Sequence, residues 1–264
     1  MSDTPSKQDE LAGTEQPFVQ HLMELRDRMV KAFLAIGVAA AILFFFPGPG
    51  ALYDFLAAPL VAHLPKGATL IATSVISPFM VPLKILLMSA FLLALPFVLW
   101  QVWAFVAPGL YSHEKRLVLP LVISSTLLFF VGVAFCYYLV FGQVFAFIQS
   151  FAPKSITAAP DIEAYLSFVL SMFLAFGLAF EVPIAVVVLA RMGVVSIDKL
   201  KEFRGYFIVI AFVIAAIVTP PDVVSQLSLA IPMCILYQVG IWAAQVFIKH
   251  TKAPEEVQET ATPS

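Results

Sequence analysis

Long apolar stretches alternate with short polar ones along this chain, and most prolines and charges fall at the joins. From Phe18 the apolar positions Phe18, Leu22, Leu25 and Met29 recur at helical spacing, while His21, Glu24 and Arg28 recur on another face. This predicts an amphipathic helix at a membrane surface, leading into a first span over about 29–46 that Pro47-Gly48-Pro49-Gly50 ends. Further spans are expected over 78–107, 117–141, 165–192, 205–219 and 223–248. Pro82 and Pro96 fall in the second and Pro232 in the sixth, which membrane helices tolerate when neighbours satisfy the freed carbonyls. The third continues as an aromatic stretch to Phe151. The fifth is short: at 1.5 Å per residue it reaches about 22 Å, against a hydrocarbon core of about 30 Å. Residues 1–17 and 249–264 read as disordered polar tails around a six-helix domain over 18–248. The connection 47–77 is too long for a plain linker; within it 53–64 reads as a short helix broken at Pro59, and 68–77 as extended. A second outer loop, 152–164, offers Asp161 as N-cap for the fourth span.

Composition agrees. Of 264 residues, 61% are apolar and 12% charged, where a soluble domain carries about 25% charged residues, and mean hydropathy is +0.96. The fold class is an all-α integral membrane protein with six transmembrane helices. Of the 15 lysines and arginines, 12 fall on the side of the N-terminus, from Lys7 through Lys115 and Arg116 to Lys252. Only Lys66 and Lys154 lie in the opposite loops, so both termini are assigned to the cytoplasm. Lys84 starts the second span and snorkels. The polar, acid-bearing first 28 residues lack the composition of a secretory signal. Cys136 and Cys234 sit in apolar runs as packing residues. The four histidines are scattered, and no nucleotide, nucleophile or metal motif is found, so neither an enzyme nor a cofactor or metal site is expected.

Each remaining charge admits two readings. Glu24 forms a plain i,i+4 pair with Arg28, worth about 0.2–0.5 kcal/mol, or it is a carboxylate held at the surface to receive a cation. Glu114 sits in the loop between the second and third spans. It is either an acid in the first turn of the third helix, capped by Ser112, or a second carboxylate of the same docking site. Glu181, in Phe180-Glu181-Val182-Pro183, lies inside the fourth span, where an acid costs about 2.5–3.5 kcal/mol and marks a site by default. The bland alternative is a protonated acid bonded to a neighbouring carbonyl. Asp222 caps the sixth helix or belongs to an outer polar site, and Gln226, one turn on, is a polar group available to another helix.

These motifs converge on one family. His21-Leu22-Met23-Glu24-Leu25-Arg26-Asp27-Arg28, Ser77-Pro78-Phe79 and Gln101-Val102-Trp103-Ala104-Phe105 resemble the C-subunit family of the twin-arginine protein translocase. So do Ala107-Pro108-Gly109-Leu110-Tyr111, His113-Glu114-Lys115-Arg116, Phe180-Glu181-Val182-Pro183 and Thr219-Pro220-Pro221-Asp222. The likeness covers roughly 18–248. It implies a concave, cup-like bundle in the bacterial cytoplasmic (inner) membrane. Its job would be that of a receptor for twin-arginine signal peptides on folded cargo, working with the single-span B and A subunits. Such a receptor draws on the proton-motive force and acts as an oligomer among membrane lipids, with no nucleic acid. Residues matching Glu24 and Glu114 would contact the signal arginines, and those matching Phe105 and Leu110 would line that site, with Arg28 grouped beside them. Glu181 would face the concave surface, and Thr219, Asp222 and Gln226 would lie where the small subunits' helices dock. Two rival classes remain: a secondary transporter of small solutes, which Glu181 and the broken helices suit, and an intramembrane hydrolase, disfavoured by the missing nucleophile motifs.

Overall fold

The computed structural model describes residues 7–63, 71–106, 118–151, 161–219 and 222–249. The elements are α1 (Lys7–Phe45), α2 (Pro49–His63), α3 (Ser77–Val106), α4 (Val118–Phe135), a π-helical turn (Cys136–Val140) and α5 (Phe141–Phe151). They continue as α6 (Ile162–Phe180), α7 (Val182–Arg191), α8 (Ile197–Glu202), α9 (Arg204–Val218) and α10 (Val223–Lys249). Among the described residues there is no strand, only an isolated parallel bridge between Ile71 and Asp161. Five helical stretches are long and apolar enough to cross a membrane: Gln20–Phe45, Ser77–Val106, Leu119–Phe147, Ile162–Arg191 and Val223–Val246. The shorter apolar helix Arg204–Val218 is the sixth expected span. The chain is an all-α membrane protein.

Two boundaries differ from expectation. The backbone is helical from Lys7, ahead of the onset expected at Phe18, because residues 7–16 consist mostly of good helix formers despite Gly13. The helix α2 begins at Pro49 and continues through Pro59. At Pro49 the missing N–H falls in the first turn and has no partner to lose; at Pro59 it removes one backbone bond, and the helix continues across it.

The structure divides into two compact units. The first comprises residues 1–56 and 75–126. Its core is the α1–α3 contact, where Ala39, Ala90 and Ala94 are buried. Small side chains let two helix backbones approach closely, which is what drives helix association where lipid is as apolar as leucine. Near the end of α3 the Trp103 Nε1–H donates to Ser125 Oγ at 2.9 Å, tying α3 to α4. At the other end of α1, Gly48 adopts φ +90° and its N–H donates to the Leu43 carbonyl at 3.1 Å. A side chain there would be strained, so glycine stops the helix cleanly.

The second unit comprises residues 57–74 and 127–264. Here the end of α4, the π-turn and α5 pack on α6 through aromatic rings: Phe135 meets Phe176 and Phe180 at 5.9 and 5.7 Å, and Phe141 meets Phe173 at 5.4 Å. In the same unit α7 packs on α10 around Val186, Ala190, Tyr237, Ile241 and Ala244. Tyr237 donates its hydroxyl proton to the Leu200 carbonyl at 2.8 Å and stacks on Phe207 at 4.0 Å, which fixes α8 and α9 to α10.

Asp161 caps α6 as its position suggests, accepting from the N–H groups of Glu163 and Ala164 at 3.0 and 2.8 Å. Its other oxygen also accepts from the Thr73 N–H at 3.1 Å and the Thr73 hydroxyl at 2.6 Å. The Ile162 N–H donates to the Ile71 carbonyl at 2.9 Å. One carboxylate thus clamps the segment after α2 onto the start of α6. The Thr73 hydroxyl and the backbone donors hold Asp161 down at about 2, below the roughly 3.9 of an unfolded aspartate. A depressed carboxyl stabilises the fold above the unfolded value and loses that contribution as pH falls from about 4 through about 2. Asp161→Ala should therefore lower the unfolding midpoint by about 2–4 °C at pH 7, with the gap closing by pH 2. Equal gaps at both pH values would show that the charge is not what holds the clamp.

Candidate functional site

At the polar end of the first unit, the spacing that puts His21, Glu24 and Arg28 on one face of α1 brings them together in space. Arg28 donates from Nε and Nη2 to the same oxygen of Glu24, Oε1, at 2.9 and 2.6 Å. The other oxygen, Oε2, lies 3.9 Å from His21 Nδ1. The Arg28 and Glu24 side chains are 24% and 36% exposed, so the pair is shielded more than a free surface bridge, whose worth is about 0–1 kcal/mol. The neighbouring Arg26–Asp27 contact, at 2.8 Å, is far more open, at 71% and 56%. His21 also stacks on Phe105 of α3, ring centroids 4.2 Å apart and planes within 14°. The carboxylate of Glu24 therefore neighbours an imidazole that is itself stacked on a ring of a second helix. Glu114 and Leu110, expected in the same site, lie outside the described residues. The role of His21 was not legible in the sequence. Its i,i+3 relation to Glu24 was visible, but the ring it rests on comes from a distant helix.

A second polar group gathers where α9 meets α10. Thr219 ends α9 in an extended conformation, and its buried hydroxyl donates to the Ala215 carbonyl at 2.8 Å. Asp222 caps α10: Oδ1 accepts from the Ser225 N–H at 2.7 Å, while Oδ2 is shielded from solvent and accepts no hydrogen bond among the described residues. Gln226 Nε2 donates to the Phe212 carbonyl of α9 at 3.3 Å. Sequence spacing made Gln226 available to another helix, and the helix it reaches is the neighbour in its own chain. The buried Ser225 hydroxyl, likewise without a hydrogen bond among the described residues, joins this group. Its place three residues after a capping aspartate was the available signal.

Glu181 stands elsewhere in the second unit, at the break between α6 and α7. Pro183 has no N–H to offer the preceding turn. The Glu181 N–H instead closes on the Leu178 carbonyl at 3.1 Å, and the Glu181 carbonyl accepts from the Ala185 N–H at 3.0 Å. Both carboxylate oxygens are shielded from solvent. The sequence predicts a fourth span unbroken over 165–192; the structure breaks the helix at this residue, where Pro183 follows. Among the described residues no cluster of histidine, cysteine, aspartate or glutamate could hold a metal ion.

Comparison with known proteins places the chain in a family. A family model described as "Sec-independent protein translocase protein (TatC)" matches residues 20–232. The Halothiobacillus neapolitanus protein of that name is 52% identical over 232 residues, which make up 88% of this chain and 63% of that longer protein. This chain thus spans less than two thirds of that relative. The Escherichia coli K12 protein of the same name is 45% identical over 241 residues, 91% of this chain and 93% of its own length. A crystal structure of a twin-arginine translocase receptor TatC matches with a TM-score of 0.75 and 39% identity, covering 86% of this chain and 98% of that one. The chain belongs to the TatC family of Sec-independent protein translocase proteins.

Proposed function

We propose that this chain is the core receptor subunit of a twin-arginine translocase in a bacterial cytoplasmic membrane, with both termini in the cytoplasm. The observation that carries this is Glu24: a shielded carboxylate beside the His21–Phe105 stack, already engaged by a guanidinium. The arginines of the signal peptide bind Glu24 and Glu114, since a guanidinium forms two parallel bonds to a carboxylate that an ammonium cannot reproduce. Phe105 and Leu110 line the site, and the signal's apolar segment lies along the aromatic wall beyond Phe105. Glu114 and Leu110 enter this reading from the sequence alone. Transport of the folded cargo draws on the proton-motive force, without nucleotide. The test is binding of a twin-arginine signal peptide to the purified protein, against the same peptide with both arginines changed to lysine. Strong preference for arginine is expected; equal binding would end the receptor reading.

The single-span A and B subunits dock their helices at Thr219, Asp222 and Gln226, with Glu181 a further polar contact for a partner or signal helix. Two features support this. Asp222 Oδ2 and Ser225 Oγ are shielded polar atoms with no hydrogen bond among the described residues, and buried polar groups are costly until paired. The adjoining α9 has only 15 residues, so the bilayer thins or a partner covers it. Asp222→Leu is expected to reduce recovery of the A and B subunits with the receptor by about tenfold, the worth of one buried polar contact of roughly 1–2 kcal/mol. Undiminished recovery would remove Asp222 from the docking site.

A further inference from the structure

Arg28 and Glu24 are joined through a single carboxylate oxygen. Two guanidinium nitrogens converge on one carboxylate oxygen, Oε1, at 2.9 and 2.6 Å, and leave Oε2 facing His21 at 3.9 Å. An incoming guanidinium that is to form two parallel bonds needs both oxygens at once. Oε2 is open to it, but Oε1 is taken. We propose that Arg28 is a built-in competitor for the signal arginine: it occupies Glu24 in the empty receptor and must be displaced before a signal peptide is held. The inference rests on the reading of Glu24 as an acceptor of signal arginine and adds to it what fills that acceptor beforehand.

The consequences are quantitative. A competitor inside the same chain raises the apparent Kd of every cationic ligand by the same factor, one plus the equilibrium constant of the internal pair. For a shielded helix pair that constant is about two to five, so the factor is about three to six. The ratio of affinities for arginine and lysine peptides does not change; the threshold does. A peptide carrying chance basic residues falls below useful affinity, while a true signal stays above it. Arg28 is suited to this because it is the same chemical group as the ligand. Any cationic ligand displaces it at the same cost, and once displaced it can return to water from the half-exposed face of α1. Arg26 and Lys31, on the same helix, are not engaged with Glu24: Arg26 is held by Asp27 at 2.8 Å, and Lys31 is an exposed side chain beside an apolar groove between α1 and α3.

The experiment measures Kd for a synthetic twin-arginine signal peptide and its di-lysine counterpart on the full-length purified protein, its Arg28→Gln, Arg28→Lys and Lys31→Gln variants, and Glu24→Gln with and without Arg28→Gln. Arg28→Gln should tighten both peptides by the same three- to six-fold. Arg28→Lys, which keeps the charge and disturbs the fold least, should give part of that gain. Weaker or unchanged binding in Arg28→Gln and Arg28→Lys overturns the proposal, because Arg28 would then touch the peptide or serve the fold alone. An equal gain in Lys31→Gln also overturns it, since removing any nearby charge would suffice. The receptor reading fails separately: Glu24→Gln without effect in either background ends both, whereas Glu24→Gln weakening binding while Arg28→Gln does not strengthen it ends only this inference.

Discussion

Changing Glu24 and Glu114 together to alanine is expected to weaken binding of a twin-arginine signal peptide by on the order of 100-fold and to erase its advantage over the di-lysine peptide. A hydrogen bond to a charged group contributes about 1.5–3 kcal/mol when shielded, and an exposed ion pair about 0–1 kcal/mol. With its side chain 36% exposed, Glu24 lies between those limits. About 1–2 kcal/mol for each carboxylate is a factor of roughly 5–30, and two independent sites multiply. Binding by isothermal titration to the single and double variants checks both size and additivity. Loss of preference for arginine in the double variant, with residual binding through the apolar segment, is the expected result. A double variant that still prefers arginine would mean that other groups read the motif. Arg28 makes the single Glu24→Ala variant informative as well, because it frees a guanidinium that then repels the ligand.

The largest effect on stability is expected from Gly132→Ala. A Cβ built on Gly132 would lie 2.5 Å from the Phe176 carbonyl oxygen of α6 and 2.9 Å from the Phe180 ring. The first of these is backbone, so α4 and α6 must separate to make room, and the ring contacts of Phe135 with Phe176 and Phe180 open with them. Overpacking of this kind costs about 1–3 kcal/mol and more where the neighbour cannot yield, seen as a fall of several degrees in thermal midpoint in detergent. For Gly177→Ala the nearest atoms belong to the Phe129 ring, at 2.4 Å, a side chain rather than backbone, so its loss should be smaller. Gly142→Ala meets nothing within 4 Å and should be neutral or stabilising, as alanine is the better helix former. If Gly132→Ala unfolds no earlier than Gly142→Ala, the close approach of α4 to α6 is not a stabilising contact.

Much of this molecule could be read from its sequence. A bilayer sorts residues along one dimension, and a helix satisfies its own backbone, so the six spans and their polar joins show as composition. The capping role of Asp161 followed from where it stands before an apolar run, and capping was one of the two readings the sequence left open for Asp222. Glu181 was conspicuous because an acid inside an apolar stretch is costly. The helical backbone from Lys7 and the π-turn at Cys136–Val140 were not foreseen. The first follows from helix propensity in a polar stretch without an apolar stripe, the second from a small difference between helical geometries that carries no hydrophobic period.

What lay beyond the sequence is the set of contacts between helices. Periodicity placed His21, Glu24 and Arg28 on one face, but only the packing of α1 on α3 set the His21 ring on Phe105. Only side-chain geometry put both Arg28 nitrogens on a single oxygen. The reach of Asp161 to Thr73 crosses 88 positions, and no local pattern announces it. That Gln226 Nε2 reaches the Phe212 carbonyl of α9 is likewise set by the packing of two helices. The physical reason is the same throughout. Burial and backbone satisfaction are decided residue by residue along the chain, whereas a hydrogen bond or ring stack is decided by ångström distances between elements that the chain's order does not specify.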